Sequence, residues 1–231
     1  MEKLVSGAMA TRHALVSAAL RLFGEHGYDS VSTRQIADVA DANIGSIAYH
    51  FGGKPGLRTA CAQYVVGAIT EALAPDFPET LPADLPPEEA SRMFIGMLTT
   101  FVTHAAEQAD ADEIFTFIMR EMVRPGEVVQ HLCRETIGPV HDRLCELFAI
   151  ATGRSIASDN VSVIVFSMMG QAMYFRMSKP VITQKMQWDD IGPQEAEAIV
   201  EVLKVNLQAL LDYYRKSAGE ISETRRIVAG L

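Results

Sequence analysis

Apolar residues along this chain recur at intervals of three and four rather than two, so the pattern predicts helices throughout and no convincing alternating strand. Leu15, Ala18, Ala19, Leu22 and Phe23 fall at i, i+3, i+4, i+7 and i+8, one face of a first helix. It stops at Gly27, a residue suited to a left-handed cap. A second helix begins at Ser32, where Gln35 three residues later completes a capping box, and Ile36, Ala37 and Ala40 form its inner face. Asp41-Ala42-Asn43 reads as a tight turn and residues 44–51 as a short third helix. Lys54-Pro55 opens a fourth, running to about residue 73, because a proline in a first turn lacks only an N–H that would have no intrahelical partner.

The texture changes at residues 74–87, which hold Pro75, Pro78, Pro82, Pro86 and Pro87 and read as a connection. Helical patterns resume at 88–108, 112–123, 127–152, 158–177 and 194–216, with a longer loop around Pro180, Trp188, Gly192 and Pro193. The reading is all-α: an N-terminal three-helix helix-turn-helix domain over residues 1–60 and a larger helical ligand-binding and dimerisation domain over 61–231.

The most specific chemistry lies in the run from Thr33 to Ile47. Ala37 is small where two crossing helices need it, and Ile36, Ala40, Ile44 and Ile47 are apolar where both helices face a core. Asp41 stands in the turn, where positive φ is expected and Asp is tolerated at some cost. A recognition helix points its first residues at base edges, which nominates Asn43, Gly45, Ser46 and Ala48 for the groove. Tyr49 and His50 offer donors to phosphate, and Lys54 adds charge at a helix start, while Phe51 turns inward.

With the preceding Ala18-Ala19 and the stretch from Leu22 to Tyr28, the run Ser32 to Leu57, ending Tyr-His-Phe-Gly-Gly-Lys-Pro-Gly-Leu, resembles the DNA-binding head of the TetR family. The resemblance implies phosphate contacts from Thr33, Tyr49, His50 and Lys54 and groove contacts around Asn43 to Ser46, with Arg34 as a further cation of the DNA-facing set. Asp41 departs from the family's usual Gly and brings a negative charge near DNA, and Pro55-Gly56 stands where an acidic or small helix former is common. In the body, the segment from Arg120 to Pro125, the segment from Ile137 to His141, and Gly170-Gln171 resemble the CecR-like regulators. That resemblance implies a homodimer joined through the last long helices and a ligand pocket among the middle ones.

Patterning supports the same expectations. The segment 158–177 is apolar nearly all round, and 194–216 has an apolar stripe wider than one face, so both need covering; a two-fold four-helix bundle would cover them, and burial within one large monomeric core is the alternative. Phe94, Phe101, Phe115, Phe117, Met119, Met122, Phe148 and Met173 suit the walls of an adaptable pocket or plain core. His104, Arg120, Glu121, His141, Gln171 and Tyr174 are the polar groups that would orient an effector, although Arg120 and Glu121 equally suit structural ion pairs. His141 and Cys145 share a helix face, and His131 and Cys133 lie nearby in sequence, which leaves metal sensing as a lesser alternative without any tight His or Cys cluster.

Charge changes this picture only in its distribution. The net charge is −9, yet residues 1–64 carry six Lys and Arg against five Asp and Glu, so an almost neutral head precedes an acidic body. The three widely spaced cysteines fit a reduced cytoplasmic protein better than a disulfide scaffold. The most apolar stretch, 161–175, is broken by Ser162, Ser167, Gly170 and Gln171, too short and polar for a membrane span, and no secretory leader is visible. No phosphate-cradling glycine loop, nucleophile elbow or His-Glu-x-x-His motif argues for an enzyme, and no cofactor is expected. The expected function is a ligand-responsive homodimeric repressor on a palindromic DNA operator, its small effector unidentified. An activator, or a DNA binder regulated by a protein partner, is the alternative.

Overall fold

The computed structural model describes residues 2–74, 78, 80–156 and 160–229, with side chains between residues 7 and 217 of those ranges. The chain order is α1 (Glu2–His26), α2 (Thr33–Val39), α3 (Gly45–Phe51), α4 (Lys54–Leu73), α5 (Pro87–Glu107), α6 (Ala111–Val123), α7 (Glu127–Leu132), a π-helical stretch (Cys133–Ile137), α8 (Gly138–Thr152), α9 (Val161–Met177), α10 (Lys179–Met186) and α11 (Pro193–Ala229). No strand occurs among the described residues, as the periodicity predicts.

Packing divides the chain into two compact units that do not follow chain order: Met1–Glu71 with Ala109–Ile137, and Ala72–Gln108 with Gly138–Leu231. In the first, the predicted inner face of α1 is buried throughout and meets Ile36 and Ala37 of α2, Ile47 of α3, Leu57 and Cys61 of α4, and Phe117 of α6. Burial of so many aliphatic groups, each contributing roughly 1.5–3 kcal/mol, is what holds three very short helices in place. Gly24 lets α1 and α6 approach closely: a Cβ there would stand 3.1 Å from the backbone nitrogen of Phe117. In the second unit α5, α8, α9 and α11 pack on one another around Phe94, Leu144, Phe148, Val165, Met168 and Leu207.

Several boundaries differ from the sequence expectation, for local physical reasons. The single helix expected over 127–152 is interrupted by the π-helical stretch Cys133–Ile137. Pro139 follows it, and a proline removes one backbone hydrogen bond and crowds the carbonyl four residues back, that of Glu135. The loop expected around Pro180 contains α10, whose Pro180 occupies the first turn, where no N–H is required. Gln187 ends α10 in the left-handed region at φ 58°. The last helix runs beyond the expected residue 216 to Ala229. Pro75 and the expected helix start at 158 lie outside the described residues.

Candidate nucleic-acid interface

The cap and turn of the helix-turn-helix are set by hydrogen bonds between residues a few positions apart. Ser32 Oγ accepts from the Gln35 N–H at 3.2 Å, and Gln35 Oε1 accepts from the Ser32 N–H at 2.8 Å, closing the predicted capping box ahead of α2. Ala42 N–H reaches back to the Ala37 carbonyl at 2.9 Å across the turn. Asp41 adopts φ 48°, the left-handed conformation expected of it. Ile36 and Ile47 then point inward from the two helices, as predicted.

Ile44 does not join them. It precedes α3 and leaves 51% of its surface exposed, which corrects its assignment to the core. The short turn from Ala42 leaves the residue before the recognition helix outside the buried core. Its neighbour Asn43 is also exposed, and Asn43 Oδ1 accepts from the Gly45 N–H at 2.8 Å. The same carbonyl oxygen that was expected to face a base therefore caps the start of α3.

Of the other residues predicted to face DNA, Thr33 opens α2 half-buried, Arg34 follows it exposed, Gly45 is exposed and Ser46 is half-buried in the first turn of α3. Tyr49 is 83% exposed and meets the half-buried His50 edge-on at 4.9 Å. Lys54 is placed differently: its Nζ donates to the Tyr28 carbonyl oxygen at 2.5 Å and lies 4.2 Å from the centre of the Tyr28 ring. The Arg58 guanidinium sits 4.5 Å from that same ring. Two cations one helical turn apart thus lie within cation–π distance of one aromatic ring. Tyr28 is a residue whose part in the site the sequence pattern does not reveal, since a lone tyrosine after a helix stop carries no periodic signal. Phe51 is half-buried against the core, with the Arg12 guanidinium 5.3 Å from its ring.

The residues nominated for an effector do not gather at one point. Phe115, Met119, Arg120 and Glu121 all belong to α6 and pack in the unit that holds the helix-turn-helix, while His104, His141, Gln171 and Tyr174 belong to the other unit. Arg120 donates to the carbonyls of Gly24 at 3.1 Å and Glu25 at 2.7 Å, satisfying the end of α1. Glu121 is buried and makes a two-pronged pair with Arg58, at 3.0 and 2.5 Å. That hydrogen bond is the main reason the Arg58 guanidinium is held above its ordinary value. The ion-pair reading thus matches Glu121, whose partner lies in α4, while Arg120 makes charge-assisted hydrogen bonds to backbone carbonyls of α1.

In the second unit, buried His141 stacks on Phe166 at 4.1 Å, with Nε2 facing Ser162 Oγ at 3.1 Å and Cys145 Sγ at 3.6 Å. Burial pushes the Cys145 thiol up, and does the same to Cys61, to about 12, in the first unit. No cluster of three or more His, Cys, Asp or Glu able to hold a metal ion occurs among the described residues. Phe94, Phe117 and Phe148, which the sequence leaves open between pocket wall and plain core, are fully buried core. Phe101 instead lines an open cleft between α5 and α9 with Val102, Ala105, Ala172, Phe175 and Arg176, large enough for only a water-sized guest.

Residues 15–61 match the family of bacterial regulatory proteins of the tetR type, and residues 90–212 match the C-terminal domain of the HTH-type transcriptional dual regulator CecR. The chain is 29% identical over 210 residues to the CecR dual regulator of Shigella flexneri, covering 90% of this chain and 93% of that one. It is 28% identical over 137 residues to the HTH-type transcriptional regulatory protein RaaS of Mycobacterium tuberculosis, covering 59% and 57%. A TetR-like transcriptional regulator from Rhodococcus sp. shares the fold, with a TM-score of 0.59 at 17% identity over 87% of this chain and 96% of that one. No helix among the described residues is long and apolar enough to cross a membrane.

Proposed function

This chain belongs to the TetR family of helix-turn-helix transcriptional regulators, with a CecR-type C-terminal domain, and from that premise we propose that it is a homodimeric repressor released from a palindromic operator by a small effector. The observation that carries the reading is the outward face of the helix-turn-helix, where Tyr49, Ile44 and Arg34 stand exposed around a recognition helix whose inner side is fully packed. In this arrangement Thr33, Arg34, Tyr49 and His50 hold phosphates, Asn43, Gly45 and Ser46 line the groove side, and Lys54 contributes its charge from behind Tyr28. A protein that reads chromosomal operators works in the cytoplasm.

Support for the dimer comes from two apolar stripes left uncovered in the single chain. Val163, Phe166, Tyr174 and Met177 recur along α9, and Val202, Val205 and Tyr213 along α11, at helical spacing on exposed faces. Large apolar stripes in water mark association, and a two-fold axis between the α9–α11 pairs would close them into a four-helix bundle. A palindromic operator asks such a dimer for two recognition helices about 34–36 Å apart, one helical turn of DNA.

For the effector, the cleft between α5 and α9 is the starting place, with His104, Gln171 and Tyr174 on the same two helices. Its size means that an effector has to select a body conformation in which the cleft is wider. The hold on DNA then weakens by the difference between the effector's affinities for the two conformations.

Selection of bound sequences from a random DNA pool, followed by sedimentation of the complex, tests the reading. A palindrome with half-sites about one turn apart, bound by two chains, supports it. Repeated selections that enrich nothing would remove its foundation, and a single chain bound to an asymmetric site would remove the dimer.

A further inference from the structure

We propose that Ile44 is a base-reading residue of this protein, recognising the 5-methyl group of a thymine in the major groove. The inference rests on the DNA-reading function proposed above and names one element of its specificity. Three observations lead to it. Ile44 leaves 51% of its surface in water, although the apolar residues that flank it at the same crossing, Ile36 and Ile47, are fully buried. Its outward neighbours on the recognition helix, Gly45 and Ala48, are exposed and short, so Ile44 is the longest apolar side chain on that part of the surface. Asn43, the polar side chain beside it, has its Oδ1 turned to the Gly45 N–H at 2.8 Å.

The last point matters because an asparagine reads adenine with both ends of its amide at once, the oxygen accepting from N6 and the nitrogen donating to N7. With the oxygen committed to capping α3, that paired contact is weakened, and discrimination has to come from elsewhere on the helix. An isoleucine has no donor or acceptor to offer a base edge. The apolar feature that a major groove presents, and that distinguishes one base from the rest, is the thymine methyl. A branched aliphatic group already exposed in the free protein gains by covering it, because both surfaces leave water together.

The experiment uses the full-length protein and the DNA duplex recovered by selection. Each thymine of a half-site is replaced in turn by deoxyuridine, which deletes the methyl and leaves every hydrogen-bonding group unchanged. Burying one methyl predicts a loss of about fourfold in affinity at the contacted position, and about fifteenfold when both half-sites are changed. Ile44→Ala should bind the thymine duplex more weakly than the unmodified protein and lose nothing further on the deoxyuridine duplex. Because Ile44 is half in water and alanine favours helix, this variant keeps its fold, which its circular dichroism melt checks. The proposal is overturned if no position separates the unmodified protein from Ile44→Ala in this way, or if the selected half-site contains no thymine. Failure of the unmodified protein to hold any duplex is a different result, since it removes the DNA-reading function itself and this inference with it.

Discussion

Removing the Arg58 guanidinium should cost the helix-turn-helix unit more than removing the charge of its partner Glu121. The asymmetry follows from burial: the Glu121 side chain is 3% exposed and that of Arg58 is 30% exposed. Arg58→Met leaves a carboxylate stranded in the interior, and breaking a buried pair in this way costs about 3–5 kcal/mol. Glu121→Gln keeps the shape and one acceptor, and the guanidinium can turn to the water it already touches, so the loss is about 1–2 kcal/mol. Part of the Arg58→Met loss is the contact with the Tyr28 ring, about 0.5–1 kcal/mol, which is smaller than the difference between the two variants. Replacing both residues at once, Arg58→Met with Glu121→Leu, removes the stranded charge and should recover most of the stability.

The same reasoning fixes a pH dependence. In Arg58→Met, burial without a partner favours the protonated Glu121, so its folded-state pKa lies above its unfolded one. A group of that kind contributes stability that is complete below the unfolded pKa and lost as pH rises through the folded one. The deficit of Arg58→Met should therefore be largest near pH 7 and shrink toward pH 5. Urea unfolding followed by far-ultraviolet circular dichroism at both pH values measures it. Trp188, the one tryptophan of the chain, packs in the other unit and gives a separate signal by fluorescence. The reasoning is refuted if Glu121→Gln costs as much as Arg58→Met, or if the Arg58→Met deficit is the same at both pH values.

Other perturbations test local features. Asp41→Gly should stabilise the protein by about 1 kcal/mol, because it relieves a left-handed aspartate, and should tighten DNA binding by deleting a negative charge; urea titration and a binding isotherm measure the two effects. Gly56→Ala should lower the melting temperature sharply, since its Cβ would run into the Phe51 carbonyl oxygen, and displacing backbone there costs about 1–3 kcal/mol. In a thiol titration of the native protein exposed Cys133 should react first, with buried Cys61 and Cys145 slow until the chain unfolds. Burial raises the Cys61 thiol from 9.0 to about 12, so its contribution to stability is whole below the lower value and lost as pH rises toward the upper one; Cys61→Ala should blunt the alkaline fall in melting temperature.

The head of this protein is readable from sequence because its determinants are local. Ser32 and Gln35 cap one another within four residues, Gly27 and Asp41 take the left-handed conformations that end a helix and make a turn, and the inner face of α1 is a repeating stripe. What is not readable there depends on direction rather than type. Ile44 has the composition of a core residue and the helical phase of one, yet the turn before it rotates it outward. Lys54 has the composition of a phosphate ligand, but its amine finds the Tyr28 carbonyl, which lies 26 residues away in sequence and has no pattern to announce it.

The body resists for a different reason: periodicity says that a segment is a helix, and it does not say which neighbour the helix chooses. α6 lies in the middle of the region that chain order assigns to effector binding, so Phe115, Met119, Arg120 and Glu121 read naturally as pocket residues. Its contacts point to the helix-turn-helix unit instead. Arg120 closes the carbonyl end of α1, Phe117 meets α1 where Gly24 has no side chain to hold it away, and Glu121 binds Arg58 of α4. Each contact is either a charge-assisted hydrogen bond or a backbone approach with no spare room, and neither kind tolerates sliding by a fraction of a turn. α6 is therefore fastened both to the helix that backs the recognition element and to the helix that follows it. A displacement of α6 must carry α1 and α4 with it or break the Arg58–Glu121 pair and strand the buried Glu121 carboxylate, the situation that Arg58→Met creates.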